Sequence, residues 1–478
     1  MEHWYTKVVQ SCSLDNSDTT MDLLTRCTGA IDSLLWNNML TLGLFLLTGL
    51  FLTLRMGFIQ IRGFKHAIQL VRGKHDDPEH EGEVNHFEAL STALSATVGT
   101  GNIAGVATAI SLGGPGALFW MWMTAFFGMA TKFTSCTLAV KFRHIEPNGD
   151  IAGGPMYTLL NALNMRITAI IFAIFAVIAS FGIGNLVQAN SVVDGISYLV
   201  PFMKTDEGQF LKFGLGIIMA TFVGLVIIGG VKRIARIASY LVPFMTIIYI
   251  FAAVIVLFNH LSDIPAAFST IFYYAFNPYS IGGAVMGEAV RWGVARGVFS
   301  NEAGLGSSPI AHAAAKTNEP VREGLVAMLE PFIDTIIVCT LTGLVIIVSG
   351  VYLDRPDDLV GSSLTASAFS ETLNDFGGYV VGFGLSLFAF STMVAWSYYG
   401  DRAIKFLFGE VAVLPYRVVF VFFIIIGASV KLELVWNIAD ITNLLMAIPN
   451  IISLLLLATF VKKLSEQYFA NPNHLTAN

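Results

Sequence analysis

Apolar segments of about twenty residues recur along almost the whole chain, and each is long enough to cross a bilayer core of about 30 Å. We count eleven of them, centred near residues 45, 99, 127, 182, 221, 248, 299, 337, 390, 420 and 447. Of the 478 residues, 55% are hydrophobic and only 13% are charged, whereas soluble domains carry about 25% charged residues. The sequence therefore predicts an all-α polytopic membrane protein with 11 spans.

The basic residues are distributed unevenly between the two sides of these spans. Of 27 Lys and Arg residues, nineteen fall on one side and six on the other, while Arg291 and Arg296 lie within a span. Because cytoplasmic loops carry an excess of Lys and Arg, we expect the N-terminus outside and the C-terminus in the cytoplasm. Residues 1–33 lack the basic and apolar regions of a signal peptide, so the first span is expected to direct insertion. These features suit a bacterial inner (plasma) membrane.

The order of the spans predicts six segments. They are an external N-terminal segment (1–33), the first transmembrane helix with a cytoplasmic loop (34–87), a first group of five helices (88–260), an external loop helix (261–280), a second group of five (281–464) and a cytoplasmic tail (465–478). The two groups suggest an inverted five-plus-five helix repeat that follows one extra N-terminal helix. Cys12 and Cys27 both fall in the external segment, where oxidising conditions permit a disulfide, and the sequence leaves their pairing open.

Two spans are interrupted by glycine-rich polar stretches, one at the start of each group. The first break is Val98-Gly-Thr-Gly-Asn102, and the second is Phe299-Ser-Asn-Glu-Ala-Gly-Leu-Gly306. Paired breaks of this kind indicate the binding site of a secondary transporter. The N–H groups of a half-helix N-terminus suit a carboxylate, and the carbonyls of a half-helix C-terminus suit Na⁺. The alternative is that both breaks are packing kinks between close helices.

Charged residues around the second break each have two interpretations. Glu302 could balance a substrate ammonium group or bind a proton, but capping of the following half-helix is favoured. Arg296 is predicted to form an ion pair of an outer gate, and Arg291 to reach the membrane interface. Asp334 and Glu330 are predicted near the inside end of a span, where they would bind cations of the loops.

Five segments of the chain resemble the alanine or glycine:cation symporter family, also called the sodium:alanine symporters. They are Val98–Gly105, Gly113–Trp122, Gly128–Lys132, Gly297–Gly306 and Glu330–Thr335, and the resemblance extends from about residue 36 to residue 463. It implies a leucine-transporter-like fold and a sodium-coupled symporter. The implied substrate is a small neutral amino acid, alanine or glycine, imported by alternating access.

The resemblance also implies two sets of site residues. The substrate set is Thr100 and Gly101, through their backbone N–H groups, with Gln188, Phe299, Ser300, Gly304, Met393 and Trp396. The sodium set is the carbonyls of Ser95 and Val98 and the hydroxyls of Ser391 and Thr392. Asn102, Glu302 and Arg296 are further candidates at the breaks and at the outer gate.

The remaining expectations concern partners and competing functions. We expect no cofactor beyond Na⁺ as the coupling ion, contact with membrane lipid, a monomer or weak oligomer, and no nucleic acid, since no basic run is present. Motifs of metalloproteases, serine hydrolases and dithiol redox enzymes are absent from the sequence, so an enzyme is not predicted. A proton-coupled or glutamine-preferring transporter of the same fold and a non-transporting amino-acid sensor remain open. A channel is disfavoured, because the polar residues are confined to breaks instead of lining a continuous pore.

Overall fold

The computed structural model describes most of the chain. The described residues are 20–36, 38–76, 79–146, 149–205, 207–228, 230–277, 286–353, 356, 359–430 and 432–474. Much of the predicted external segment 1–33 and the last residues of the tail therefore lie outside them. Cys27 is disulfide-bonded, and Cys12 lies outside the described residues.

Helices account for nearly all of the first half of the described chain. They are α1 (Thr20–Trp36), α2 (Met39–Arg55), α3 (Ile59–Arg62), α4 (Phe64–Val71), α5 (His86–Thr97), α6 (Ala104–Gly113), α7 (Ala117–Lys141), α8 (Pro155–Leu163), α9 (Arg166–Phe181), α10 (Val187–Leu199), α11 (Gln209–Ile227), α12 (Gly230–Asn259) and α13 (Ile264–Phe276). A 3₁₀ turn (Thr100–Asn102) separates α5 from α6, and a π-helical turn (Gly182–Leu186) joins α9 to α10. Another 3₁₀ turn (Pro201–Lys204) follows α10. Between α7 and α8, β1 (His144–Ile145) and β2 (Ile151–Ala152) pair antiparallel.

The second half is built in the same way. Its helices are α14 (Met286–Asn301), α15 (Ser308–His312), α16 (Pro320–Ala327), α17 (Leu329–Pro331), α18 (Thr340–Ser349), α19 (Gly361–Leu373), α20 (Asp375–Phe408), α21 (Val413–Gly427) and α22 (Leu432–Ala470). A π-helical segment (Phe332–Cys339) joins α17 to α18. Short 3₁₀ turns precede α21 (Glu410–Ala412) and follow α22 (Pro472–His474).

Local sequence explains where several helices begin and end. At the start of α5, the Asn85 side chain accepts a hydrogen bond from the Glu88 N–H, and the Glu88 side chain accepts one from the Asn85 N–H, which together form a capping box. Pro320 occupies the first position of α16, where its missing N–H costs nothing. Gly114, with φ of 74°, ends α6 in a conformation that glycine adopts readily.

The number of membrane spans is only partly settled by the helices. Seven helical segments of the described chain are each long and apolar enough to cross a membrane, and two bent pairs raise the number to nine. Every predicted centre falls on a helix or on the first break, but the count of eleven stays a prediction. The two predicted spans missing from the nine are those centred near residues 127 and 299, on α7 and α14. Helix α7 mixes small and polar residues with its apolar ones, and α14 has only 16 residues before the second break.

The bundle places apolar side chains outside and many polar ones inside. On the outward faces of α11, α12 and α21, Phe222, Phe251 and Leu414 are 59%, 67% and 67% exposed, as expected of side chains that contact lipid tails. Asp334 and His312, by contrast, are fully buried. This arrangement is that of an integral membrane protein whose polar groups are paired inside the helix bundle.

Two broken helices cross the interior in opposite directions. In the first, α5 and α6 meet at a bend of 59°. An ideal Cβ atom on Gly101 would lie 2.9 Å from Ser300 Cα, and one on Gly113 would lie 3.0 Å from the Glu288 carbonyl oxygen, so the first broken helix runs antiparallel to the second, α14 and α15. The inverted five-plus-five repeat, with which this crossing is compatible, stays a prediction.

Candidate functional site

The first break is stabilised by a hydrogen bond to one of its own side chains. The Asn102 Oδ1 atom accepts a hydrogen bond from the Gly99 N–H at 2.8 Å. A Cβ atom on Gly99 would lie 2.5 Å from Thr392 Oγ1, so α20 approaches the backbone here as closely as glycine permits. The break therefore sits directly against α20.

The second break begins later than the sequence predicts. Phe299 and Ser300 still belong to the last turn of α14, and the extended part starts at Glu302, which has a φ of 54°. Gly304 and Gly306 follow with φ values of 97° and 92°, which glycine adopts at little steric cost. Helix α14 continues to Asn301, and Ser300 in its last turn packs against Gly101 of the first break. The positive φ of Glu302 then ends the helix.

A buried carboxylate connects the two breaks. Asp334, in the π-helical segment, accepts hydrogen bonds from Asn102 Nδ2 at 2.6 Å and from Ser300 Oγ at 2.8 Å. Thr335 Oγ1 donates a third at 2.6 Å. The prediction that Asp334 lies near the inside end of its span and binds loop cations is wrong, because the π-helical segment carries it to the depth of the breaks. An acidic residue inside a span is functional by default, and that signal was available in the sequence.

Gln188 occupies the place predicted for the substrate carboxylate. Its Oε1 atom accepts a hydrogen bond from the Thr100 N–H at 3.3 Å, and its Nε2 atom donates to the Ile183 carbonyl at 2.8 Å. Gln188 is thus brought into contact with Thr100 of the first break, and the role of both at the substrate stays a prediction. The Thr100 Oγ1 atom is buried without a hydrogen-bond partner among the described residues.

The other predicted substrate residues divide between two places. The Phe299 ring lies 4.6 Å from the Trp436 ring, centroid to centroid, close to the first break. Gly304 does not face that break, since a Cβ atom there would lie 3.2 Å from Phe45 Cδ1 on α2. The prediction for Gly304 is therefore corrected, because its left-handed backbone turns it toward α2.

Trp396 and Met393 are buried on α20. The indole Nε1 of Trp396 donates to Glu302 Oε1 at 2.8 Å, and Ser307 Oγ donates to Glu302 Oε2. Ser307 directly precedes α15, so the Glu302 carboxylate lies at the N-terminus of that half-helix, and its capping by charge stays a prediction. Trp396 thereby fixes the second break to α20.

The predicted sodium ligands converge between α5 and α20. Ser95 Oγ donates to the Ser391 carbonyl at 2.8 Å, and Ser391 Oγ donates to the Ser95 carbonyl at 3.2 Å. Val98 is in the last turn region of α5, where carbonyls lack intrahelical partners. Thr392 Oγ1 is buried and has no hydrogen-bond partner among the described residues. Hydroxyls and carbonyls are the ligands that a hard cation prefers, so this oxygen set fits Na⁺.

An ion pair closes one end of the bundle. Arg296 on α14 contacts Asp440 on α22, and both are buried. The Arg296 guanidinium also lies 4.6 Å from the centre of the Trp436 ring, a cation–π distance. The pair borders a cavity of about 310 Å³ whose wall includes Thr108 and Trp292, beyond the breaks. The sequence names no partner for Arg296, and the structure pairs it with Asp440. Arg291 lies 3.4 Å from Glu288.

We refer to this end of the bundle as the Arg296 end. The opposite end, where α5 begins at His86, is the His86 end. The candidate site lies between them, at the level of the two breaks. Two antiparallel broken helices that meet inside a bundle of apolar helices are the arrangement of a secondary transporter.

Comparisons with known proteins identify the kind of transporter. A family model for the sodium:alanine symporter family matches residues 21–477. The chain is 49% identical to the sodium/alanine symporter AgcS of Methanococcus maripaludis over 442 residues, which cover 90% of this chain and 94% of AgcS. It is 35% identical to a Bacillus subtilis protein named "Probable sodium/glutamine symporter GlnT", over 92% of this chain and 89% of that one. The chain belongs to the sodium:alanine symporter family.

A solved structure supports the fold. The crystal structure of MhsT in complex with L-phenylalanine aligns with a TM-score of 0.55, covering 81% of this chain and 99% of MhsT at 12% sequence identity. MhsT has the leucine-transporter-like fold, so the predicted fold type is confirmed at that level. At this identity the likeness concerns the fold alone.

Proposed function

We propose that this protein couples the inward Na⁺ gradient to the import of alanine or glycine by alternating access. The observation that carries the proposal is the contact between the two breaks, where Gly101 lies against Ser300. Close to that contact, backbone N–H groups are buried together with the Thr100 and Thr392 hydroxyls, which have no hydrogen-bond partner among the described residues. A small zwitterion and a cation are the ligands that such a place accommodates.

The substrate carboxylate would bind the N–H groups of Thr100 and Gly101. They stand at the beginning of the second half of the first broken helix, where the helix dipole favours an anion. The Gln188 Oε1 atom accepts from the Thr100 N–H, so the carboxylate would replace a neutral acceptor with a charged one. A charge-assisted hydrogen bond is about twice as strong as a neutral one, which makes the exchange favourable.

The sodium ion would bind the carbonyls of Ser95 and Val98 with the hydroxyls of Ser391 and Thr392. The supporting feature is the buried Thr392 Oγ1 atom, which has no partner among the described residues, since a cation would satisfy it. The ion would fix α5 to α20 and so order the break before the substrate arrives. Each ligand then raises the affinity for the other by the same factor.

Asp334 supplies the charge that balances the cation. A neutral amino acid and one Na⁺ bring a net charge of +1 into the bundle, where an uncompensated charge is costly. Asp334 is the carboxylate that contacts both Asn102 and Ser300. An ionised Asp334 would therefore make the loaded site neutral and hold the breaks together.

Alternating access would open the two ends in turn. The Arg296–Asp440 pair and the Phe299–Trp436 stack form the barrier at the Arg296 end, which we place outside. The His86 end then faces the cytoplasm of a cell with this protein in its inner membrane, in line with the distribution of Lys and Arg. The buried Phe299 and Met393 side chains would border the substrate side chain, in line with a small one.

Alanine is favoured over glutamine by similarity. AgcS, named a sodium/alanine symporter, is 49% identical to this chain, and GlnT, named for glutamine, is 35% identical. Glycine differs from alanine by one methyl group, and a hydrophobic pocket discriminates such a difference by only about 1–3 kcal/mol. Both are therefore proposed substrates.

Uptake of radiolabelled alanine into proteoliposomes tests the proposal. We expect accumulation with an inward Na⁺ gradient, none with an equal K⁺ gradient, competition by glycine and little competition by glutamine. Accumulation driven by a proton gradient alone would replace Na⁺ by H⁺ as the coupling ion. Saturable alanine binding without accumulation under any gradient would make the protein a sensor and overturn the proposal.

A further inference from the structure

Five ionisable side chains form a continuous buried chain at the His86 end, separate from the substrate and sodium residues. They are His86, Glu323, His312, Glu330 and Lys132, and none is more than 2% exposed. His86 Nδ1 contacts Glu323 Oε2, and Lys132 Nζ lies 2.8 Å from Glu330 Oε2. His312 stands between the two carboxylates. The prediction that Glu330 binds loop cations is wrong, since its partners lie inside the bundle.

The geometry of His312 fixes the number of protons. Its Nδ1 atom lies 2.5 Å from Glu323 Oε1, and its Nε2 atom lies 2.7 Å from Glu330 Oε1. A carboxylate oxygen and an unprotonated ring nitrogen both present lone pairs, so each contact requires a proton, and a neutral imidazole has only one N–H. With both carboxylates ionised, His312 must carry two protons and a positive charge.

Charge balance supports this proton count. His312 as imidazolium and the Lys132 ammonium carry two positive charges, and Glu323 and Glu330 carry two negative ones. His86 completes the set as a neutral donor to Glu323. The buried chain is then electrically neutral, and loss of the His312 proton would leave one uncompensated negative charge inside the bundle, which is strongly unfavourable.

The chain joins the halves of both broken helices that lie at this end. His86 is the first residue of α5, and His312 is the last residue of α15, and both bind Glu323 on α16. Lys132 on α7 also contacts Ser308 at the start of α15. The His86 end cannot open along this seam without separating these groups.

The surroundings of His312 contain further titratable groups. The groups contributed by the packed elements are Lys132 and Cys136 from α7, His86 from α5, Glu323 from α16, Glu330 from α17 and Tyr399 from α20, which lies near Glu330. Glu302, across the second break, also lies near Glu330. All are buried, so a proton on His312 exchanges with bulk water only when this end opens.

We propose that His312 is a proton-binding site that couples protonation to closure of the His86 end. When α15 moves away from α5 and α17, the hydrogen bond from His312 Nε2–H to Glu330 breaks and that nitrogen gives its proton to water entering from this end, while Nδ1–H stays bonded to Glu323. On closure a proton returns from the same side, so the cycle moves no net H⁺. Acid therefore favours the closed end and slows release of the cargo there. This inference rests on the proposed alternating access.

Cys136 is a native reporter of opening at this place. Its sulfur lies within 4.8 Å of the ligand atoms of His312 and Glu330, and the residue is fully buried. The rate of its modification by N-ethylmaleimide, read at the Cys136 peptide by mass spectrometry, measures how often the His86 end opens. Each rate is divided by the rate for the denatured form of the same variant at the same pH, which removes the pH dependence of the free thiol. The wild-type value is then divided by the value for His312→Gln at each pH from 8 to 6.

We expect this ratio to fall with acidification, by up to about tenfold per pH unit where one proton separates the two states. The matched control is His66→Gln, a buried histidine of α4 that bonds Tyr468; the ratio of wild type to this variant should stay constant. Glu323→Gln serves as the second variant, because removing one carboxylate also removes the need for a charged His312. Both His312→Gln and Glu323→Gln must first elute and unfold thermally like the wild type. If the ratio of the wild-type rate to the rate in each of these two variants then stays constant with pH, the proposal is overturned.

Transport measurements provide a second test of the proton site. Alanine counterflow at equal pH on both sides should slow with acid in the wild type and not in His312→Gln, and an internal pH dye should detect no H⁺ movement during Na⁺-driven uptake. Proton movement with the cargo would overturn the same-side assignment. If no Na⁺-driven uptake exists at all, the proposed function fails, whereas the Cys136 ratio still decides the proton site.

Discussion

Gly101→Ala tests whether the contact between the two breaks is needed for transport. The added Cβ atom would lie 2.9 Å from Ser300 Cα and 3.1 Å from Ser300 Cβ. Optimal carbon–carbon contacts are about 3.5–4.0 Å, so the two backbones must separate by roughly 0.6–1.1 Å. Neither atom is the end of a flexible side chain, and the breaks themselves must therefore move.

The size of the effect follows from that displacement. Overpacking of a tight interior costs about 1–3 kcal/mol, which corresponds to roughly a 5- to 150-fold loss of affinity. We expect the KM for alanine to rise within that range in Na⁺-driven uptake by proteoliposomes. The thermal unfolding midpoint of the purified variant should fall at the same time.

Gly105→Ala is the matched control on the same helix. A Cβ atom there meets nothing nearer than the Thr100 carbonyl oxygen at 3.9 Å, and alanine is the better helix former by about 1 kcal/mol. Uptake should be unchanged and thermal stability equal or higher. Wild-type transport kinetics in Gly101→Ala would refute the reasoning, because the breaks would then not need to touch.

Three further changes test the ion site, its counter-charge and the barrier at the Arg296 end. The double change Ser391→Ala and Thr392→Ala should raise the Na⁺ concentration for half-maximal uptake by about 30-fold, if each lost oxygen contributes about 1 kcal/mol. Asp334→Asn keeps the size of the side chain but removes its charge, so half-saturation by Na⁺ should rise more than the KM for alanine. Arg296→Gln leaves the Asp440 carboxylate buried without its partner, at a cost of about 3–5 kcal/mol. Its thermal unfolding midpoint should fall, and adding Asp440→Asn should restore most of the loss.

Each of these predictions has an outcome that contradicts it. An unchanged Na⁺ response in the double variant would remove the sodium assignment between α5 and α20. Equal effects of Asp334→Asn on Na⁺ and alanine would make that residue structural instead of a counter-charge. A stable Arg296→Gln variant would show that the ion pair is dispensable to the fold.

The positions of the helices and of both breaks could be read from the sequence. Twenty-residue apolar segments are dictated by the bilayer, and glycine-rich polar stretches inside them interrupt helices wherever they occur. The first break lies at the predicted residues, and the second starts at Glu302, three residues after Phe299. Gln188, which the family resemblance implies for the substrate site, lies within hydrogen-bond distance of the Thr100 N–H, and its role there stays a prediction.

The orientation of residues farther from the breaks could not be read in this way. Asp334 was expected near a loop, but the π-helical segment brings it to both breaks. Gly304 was expected at the substrate, but its positive φ turns it to Phe45. Helical periodicity assumes a regular turn, and one wide turn or one left-handed residue changes the face on which every later residue lies.

By itself, the sequence determined that this chain is a helical membrane protein with two broken helices, because hydropathy and glycine content act locally. Only the tertiary structure decided which charges meet. The Arg296–Asp440 pair joins residues 144 positions apart, and His86 and Glu323 are 237 positions apart. Such pairs form because a buried charge must find a partner inside the bundle, and which partner it finds depends on how the helices pack.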